Sequence, residues 1–401
     1  MNMNVNLADL CDAIAGALPD RCALVCDGER RSYPELMARS NQVAQVLAQA
    51  GVTPDETVGL YLFNSVAHIE ALLGCMVARA IPVNINYRYT GAELAHLFAG
   101  GRLAALIVDA EHVALAAEVA SSCPSLRTVL VTGTGEDYSA LFGPAVSVAG
   151  FENAVAAAPA QRPDNGRSGD DKLIIYTGGT TGLPKGVLWR HEDFYFAALA
   201  GGNHYGPPRL SVAEVVAAAA EVPSAGYVIT APMMHGAGTY TLFSAFLLGS
   251  KVVLSRRFDA AQTLRLVAAE RAMALAVVGD AMARPLWTSW PAIPANTICP
   301  RFSSSAPVAR CSRPACGRSF SSSTRTCTSP TGSAPPRPAP TASLIAARTA
   351  GSGSGTAATS RCSTTRCARC RQGGPAGSPS PATYRWDTWA TTRPRAPRSR
   401  S

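Results

Sequence analysis

No uncharged apolar run in the sequence reaches the roughly 18 residues that a membrane-spanning helix needs, so an integral helical membrane protein is not expected. Residues 1–19 lack a basic segment followed by an apolar core, which argues against a secretory leader. Lysine, histidine and acids are nearly missing from one part of the chain. From Trp287 onward there are 16 Arg, no Lys, no His and a single acid, Asp387, so this segment carries +15. Residues 1–286 therefore carry −6, from 20 basic and 26 acidic side chains, and the overall +9 describes neither part. Leu, Ile and Val also become rare after Leu286, where Ser, Thr, Pro, Arg, Ala and Gly replace them. A segment of that kind cannot bury enough apolar surface to offset chain entropy, and it is expected to stay disordered. The 12 cysteines divide at the same place, with Cys11, Cys22, Cys26, Cys75 and Cys123 before it and seven after it. Five unevenly spaced thiols fit a reducing compartment, and a soluble cytoplasmic protein is expected.

The genetic code allows a closer reading of the tail. The last base of each codon was joined to the first two of the next from Trp287 on, with synonymous codons chosen where the code leaves freedom. This gives VDELAGHPGEYDLSSLLVVGAGGPVLSP and then GLRAKLLELYPHVHVADGLGASETGANG, ending across Thr341 and Ala342. The middle base of most recovered codons is fixed by the encoded residues, and it largely decides apolar against polar. The recovered string regains helix, strand and turn patterning, so residues 287–401 read as out-of-frame translation after a one-base shift near Leu286.

Up to Leu286 the pattern alternates apolar, strand-like runs with helical periods, as in a doubly wound α/β fold with parallel strands. Strands are expected at 23–26, 57–62, 81–84, 104–108, 128–131, 172–176, 227–230, 251–254 and 275–278. Helices are expected at 33–50, 65–79, 91–99, 111–121, 194–200, 239–248 and 260–270. Residues 157–171, rich in Pro, Gly and Asp, read as a linker between a first α/β unit (1–156) and a partial second one (172–286).

The segment Tyr176-Thr-Gly-Gly-Thr-Thr-Gly-Leu-Pro-Lys-Gly-Val187 follows one of these strands. A glycine-rich turn there can bring several backbone N–H groups close to phosphate oxygens, because glycine tolerates positive φ and close approach. Thr177, Thr180 and Thr181 add hydroxyls around Gly178, Gly179 and Gly182, and Lys185 adds positive charge for the β- and γ-phosphates. A P-loop would need Gly-Lys-Ser/Thr entering a helix, whereas Gly182 precedes Leu-Pro-Lys-Gly. These residues resemble the signature of the adenylate-forming superfamily, which includes acyl-CoA synthetases, luciferases and peptide-synthetase adenylation domains. The usual serine is Gly178 here, and the resemblance covers residues 7–286.

Other segments extend it. Ala231-Pro-Met-Met-His-Gly-Ala-Gly238 is similar to the family segment whose histidine borders the acyl group, which would make His235 a catalytic-site residue. Taken alone, a histidine before glycine after an apolar run is also an ordinary structural residue. Val278 to Leu286 is similar to the strand and turn lining the acyl site, with Gly279, Asp280 and Ala281 at the pocket; Asp280 reads equally as a helix cap. Val187 to Asp193 and Val83 to Tyr89 resemble the branch that handles long-chain or sterol-type acids. His191 and Glu192 have no second ligand cluster in view and read as a polar helix start, so no metal site is assigned. Cys311, Cys316, Cys367 and Cys370 imitate zinc ligands in a segment without histidine, and they are not assigned either.

The resemblance implies an ATP-dependent ligase that takes a small carboxylic acid, ATP with Mg²⁺, and coenzyme A through an acyl adenylate. An aryl-acid ligase or an adenylation domain is the alternative inside the family. The family's metal-linked glutamate falls in the recovered GASETG, across Pro336 and Arg337, and so only in the other frame. The ribose-binding aspartate, the hinge and the C-terminal lysine of the family have no counterpart in the tail, and the chain is expected to be inactive. A basic-tailed binder of nucleic acid or an acidic partner is the reading from another class; the arginines lack the aromatic interleaving such a surface uses, and no specific nucleic acid is expected.

Overall fold

Apolar runs form the centre of the molecule because they become parallel strands covered on both faces. The computed structural model describes residues 4–133, 135–177 and 185–289. Twelve strands lie among them: β1 (Cys22–Cys26), β2 (Glu29–Ser32), β3 (Thr57–Tyr61), β4 (Ile81–Asn84), β5 (Ala105–Asp109), β6 (Thr128–Thr132), β7 (Ser147–Gly150), β8 (Lys172–Thr177), β9 (Lys185–Arg190), β10 (Gly226–Ile229), β11 (Lys251–Leu254) and β12 (Ala272–Ala276). They build a seven-stranded sheet in the order β7-β6-β5-β3-β4-β8-β9 and a five-stranded sheet in the order β12-β10-β11-β1-β2. All pairings are parallel except β8 with β9 and β1 with β2. Strands β3, β5 and β6 are buried along their whole length.

Local signals start the helices. Ser32 and Glu35 form a capping box at the head of Tyr33–Gln49, with Ser32 N donating to Glu35 Oε2 at 2.7 Å. Thr90 and Glu93 do the same for Gly91–Gly101, and Asp259 caps Ala260–Ala269. Helices Tyr33–Gln49, Val66–Val77 and Gly236–Phe246 contribute Leu36, Val43, Ile69, Leu73, Phe243 and Phe246 to one core. Leu24 and Leu254 of the five-stranded sheet and Val58 and Ile107 of the seven-stranded sheet enter the same core, so these helices lie between the sheets. A Cβ on Gly74 would stand 2.5 Å from both Cβ and Cγ1 of Val43, so glycine is what lets the two central helices approach. Leu94, Phe98 and Val113 cover the outer face of the larger sheet, and Leu264 and Val267 that of the smaller.

The α/β class and the parallel sheets agree with the sequence; several details differ. The sheets do not divide the chain at residues 157–171. Strands β8 and β9, beyond that stretch, complete the seven-stranded sheet, and β1 and β2 belong to the five-stranded one, with Val25 opposite Val253. Strands β2, β7 and β9 were not expected; they are edge strands, free of the buried apolar run that marks a central one. Helices Leu7–Ala17, Phe151–Ala157 and Val212–Glu221 were not expected either, and Asp280–Ser289 was foreshadowed only by the alternative reading of Asp280 as a cap. The helix expected at 194–200 starts at His191–Asp193, continues as a π-helix over Phe194–Ala198 and ends where Ala200 takes φ 51°. The strand expected at 275–278 is β12, three residues earlier. Helix Asp280–Ser289 also runs past Leu286 into the segment expected to be disordered. The rest of that segment, 290–401, lies outside the described residues, as do its cysteines and arginines.

Candidate active site

The phosphate-loop expectation is placed only at its two anchors. Gly178, Gly179, Thr180, Thr181 and Gly182 lie outside the described residues. On either side, β8 and β9 pair antiparallel from Lys172 opposite Arg190 to Thr177 opposite Lys185. Residues 178–184 therefore connect adjacent positions at the closed end of the hairpin, and Lys185 is exposed there. Strand β8 is parallel to β4, with Ile174 opposite Val83, so the loop leaves the carboxyl end of a strand in a parallel array. That end is where open α/β sheets bind ligands.

His235 reaches the same region from the other sheet. After β10, Thr230 N donates to Ala276 O (3.1 Å) and the chain turns inward, burying Ala231, Met233 and Met234. His235 N donates to Pro232 O at 3.0 Å to close the turn. His235 O then accepts from Gly238 N (3.0 Å) and Thr239 N (3.3 Å), opening helix Gly236–Phe246. A Cβ on Gly236 would lie 3.1 Å from Ile175 Cγ2, so the start of this helix rests on β8. The structure thus brings His235 beside the strand that carries the loop. Its side chain reaches solvent, yet protein around the ring and then the Arg88 guanidinium hold its pKa below the ordinary histidine value.

Gly279, Asp280 and Ala281 are exposed. Asp280 is the first residue of helix Asp280–Ser289 rather than its cap: Gly279 takes φ +68°, and its carbonyl accepts from Met282 N (3.3 Å) and Ala283 N (3.1 Å). A helix start stands where a strand end and turn were expected over 278–286. No atom lies within 4 Å of a Cβ built on Gly279, so it borders open space. Thr230 Oγ1 lies 3.4 Å from Met282 Sδ, which puts the segment at the same end of the five-stranded sheet as the turn to His235.

Two groups at this end were not anticipated. Asn64 and Asn84, just after or at the end of β3 and β4, bond to the main chain of Met233. Arg256, after β11, grips Asp109 with both guanidinium nitrogens at 2.8 and 2.9 Å and lies 4.6 Å from the Phe63 ring centroid. This joins the two sheets at their carboxyl ends. The available signal was a polar residue directly after an apolar run, as in Tyr61-Leu-Phe-Asn64 and Ile81-Pro-Val-Asn84. His191, weighed as a metal ligand, is fully buried, with Nδ1 accepting from Leu7 N at 3.4 Å. Among the described residues no group of three or more His, Cys, Asp or Glu could hold a metal ion.

A family model described as AMP-binding enzyme matches residues 11–383, most of the chain. The chain belongs to this family. Among AMP-binding enzymes it is 38% identical over 291 residues to a medium/long-chain fatty-acid–CoA and 3-oxocholest-4-en-26-oate–CoA ligase of Mycobacterium tuberculosis, an alignment covering 71% of this chain and 52% of the relative. It is 36% identical over 288 residues to a 3-oxocholest-4-en-26-oate–CoA ligase of Rhodococcus rhodochrous, covering 71% of this chain and 51% of that one. The chain spans about half the length of these curated relatives. Its fold is like the anthranilate CoA ligase AuaEII crystallised with anthranoyl-AMP, with a TM-score of 0.60 at 21% identity over 69% of this chain and 50% of that one. No helix among the described residues is long and apolar enough to cross a membrane.

Proposed function

We propose that the sequence is that of an ATP-dependent acyl-CoA ligase acting on fatty or steroid carboxylic acids, and that the chain as written does not complete the reaction. The carrying observation is the meeting of the β8–β9 hairpin with the His235 turn at the carboxyl ends of both sheets, in a chain 38% identical to a ligase of such acids. A carboxylate is a poor acyl donor, because its charge repels nucleophiles and oxide does not leave. The ligase chemistry answers this in two steps. A carboxylate oxygen attacks the α-phosphorus of ATP and pyrophosphate departs; the coenzyme A sulfur then attacks the acyl carbon and AMP departs. Catalysis of this type rests on positioning and on neutralising phosphate charge.

In this reading Thr177 to Lys185 cradle the pyrophosphate, His235 borders the acyl group, and Gly279 to Ala281 lie at the mouth of the acyl site. Among the described residues no group of three or more His, Cys, Asp or Glu could cage Mg²⁺, which would be held chiefly by the phosphates of ATP. The five unpaired cysteines among the described residues suit a reducing cytoplasm. Residues 290–401, which hold most of the basic excess, are given no role in binding nucleic acid.

ATP–pyrophosphate exchange with oleate or a steroid carboxylate tests both halves of the proposal. The 401-residue chain should stay at background. A version in which the one-base shift near codon 286 is reversed should exchange with at least one of the two acids. Exchange by the chain as written would refute its inactivity, and a silent restored version would refute the ligase reading.

A further inference from the structure

The turn that carries His235 is gripped from the opposite sheet. Met233 N donates to Asn64 Oδ1 at 2.8 Å, and Met233 O accepts from Asn84 Nδ2 at 3.0 Å. One peptide residue is thereby held on both its donor and its acceptor by two side-chain amides. Asn64 is 6% exposed, Asn84 5% and Met233 0%, so neither amide has water as a substitute partner. The asparagines are in turn tied to each other's surroundings. Fully buried His68 lies 3.2 Å from Asn84 Oδ1 through Nε2 and 3.1 Å from Phe63 O through Nδ1, which turns the Asn84 Nδ2 toward Met233. Asn84 Nδ2 also donates to Thr239 Oγ1 at 3.4 Å, in the first turn of the helix that follows His235.

Between the clamp and the histidine there is little slack. His235 lies two residues beyond Met233, inside the turn closed on Pro232 O. A Cβ on Gly238 would come within 2.8 Å of Pro232 O and 3.1 Å of Met233 Cα, so the helix start presses on the clamped residue itself. We infer that Asn64 and Asn84 are positioning residues for His235: they fix the Pro232–His235 turn of one sheet to the strand ends of the other and so set where the acyl-side histidine stands. This rests on the proposed role of His235, but the clamp is measurable without turnover.

The chemistry at the two positions differs. Asn64 serves Met233 only as an acceptor, so Asn64→Asp keeps the bond and Asn64→Ala loses it. Asn84 serves as a donor, so Asn84→Asp faces a carboxylate oxygen toward Met233 O and cannot substitute. The experiment follows two signals in the full 401-residue chain: hydrogen exchange at the Met233 amide, and the NMR titration of the His235 ring, assigned with His235→Gln. In Asn64→Ala, Met233 exchange should quicken about tenfold, the factor one ordinary hydrogen bond carries. The Tyr227 and Val228 amides of β10 should change by less than about twofold. The His235 titration should move up toward its ordinary value as the turn loosens from the protein around it. Asn64→Asp should keep Met233 exchange slow, since its carboxylate still accepts from Met233 N, and Asn84→Asp should behave like Asn64→Ala. Unchanged Met233 exchange, an unmoved His235 titration, equal acceleration in β10, or failure of Asn64→Asp to restore would each overturn the inference. The exchange assay above judges the ligase reading separately.

Discussion

Acid should destabilise this chain through one buried histidine, His191. The side chain is fully buried at the head of a short helix; Nδ1 accepts from Leu7 N, and Nε2 has no partner among the described residues. Burial first, and the nearby Arg167 guanidinium second, push its pKa down from 6.5 to about 3. A depressed folded-state value means that the unfolded chain takes the proton first. The stability held by neutral His191 is thus complete above about pH 6.5 and drains as pH falls toward about 3. At about 1.4 kcal/mol per pH unit, the loss is about 2 kcal/mol by pH 5 and about 5 kcal/mol at the acid limit. His191→Asn offers an oxygen near the Nδ1 position for Leu7 N–H and takes up no proton. Urea unfolding of both chains at about pH 8 and about pH 5 isolates this one group, because the other titrating groups are common to both. The substituted chain should gain about 2 kcal/mol relative to the unsubstituted chain between the two conditions. If the difference between the chains is the same at both pH values, the reasoning from burial is wrong.

Gly74→Ala should cost about 2 kcal/mol in urea unfolding, despite alanine's helix preference of about 1 kcal/mol, because its Cβ has no room against Val43. Val43→Ala should not rescue it, since the Cβ at position 43 is itself one of the clashing atoms; Val43→Gly should show coupling in a double-mutant cycle. Arg256→Lys should lose the paired grip on Asp109, whose side chain is 4% exposed, at a cost of about 1–2 kcal/mol after allowance for the partly exposed arginine. Thermal unfolding at low and high salt checks this, and the loss should shrink little with salt because Asp109 is buried.

The central strands were legible because a parallel strand buried on both faces reads as a continuous apolar run, as in Ala105–Asp109 and Thr128–Thr132. The edge strands were not. Glu29–Ser32 is almost wholly polar, and Lys185–Arg190 is half-exposed and followed a loop whose exit carried no strand signal. Helix Leu7–Ala17 is capped by Asn6, whose Oδ1 accepts from Ala8 N at 2.9 Å, but its polar face is only Asp9 and Asp12, whose partners Arg162 and Arg167 lie far along the chain. Candidate chemistry could be proposed where residue type and spacing act locally, at Thr177, Lys185 and His235. It was illegible where the partner is far away in sequence: nothing near Asn64 or Asn84 announces Met233, and nothing near Asp109 announces Arg256. The stretch at Asp280 reads from sequence as either a cap or a pocket wall; the fold begins a helix there, with Gly279 at positive φ.

The return of β1 to the five-stranded sheet sets an order of events during synthesis. Strand β1 leaves the ribosome long before its parallel partner β11, which is encoded more than two hundred residues later, with Leu24 opposite Val252. Until then only the β1–β2 hairpin can form, and a two-stranded hairpin is marginal in water. The seven-stranded sheet closes earlier, once Arg190 has emerged. The smaller sheet must therefore wait with an apolar strand uncovered, which makes slow, non-local closure the stage at which chaperones or neighbouring chains compete for this protein.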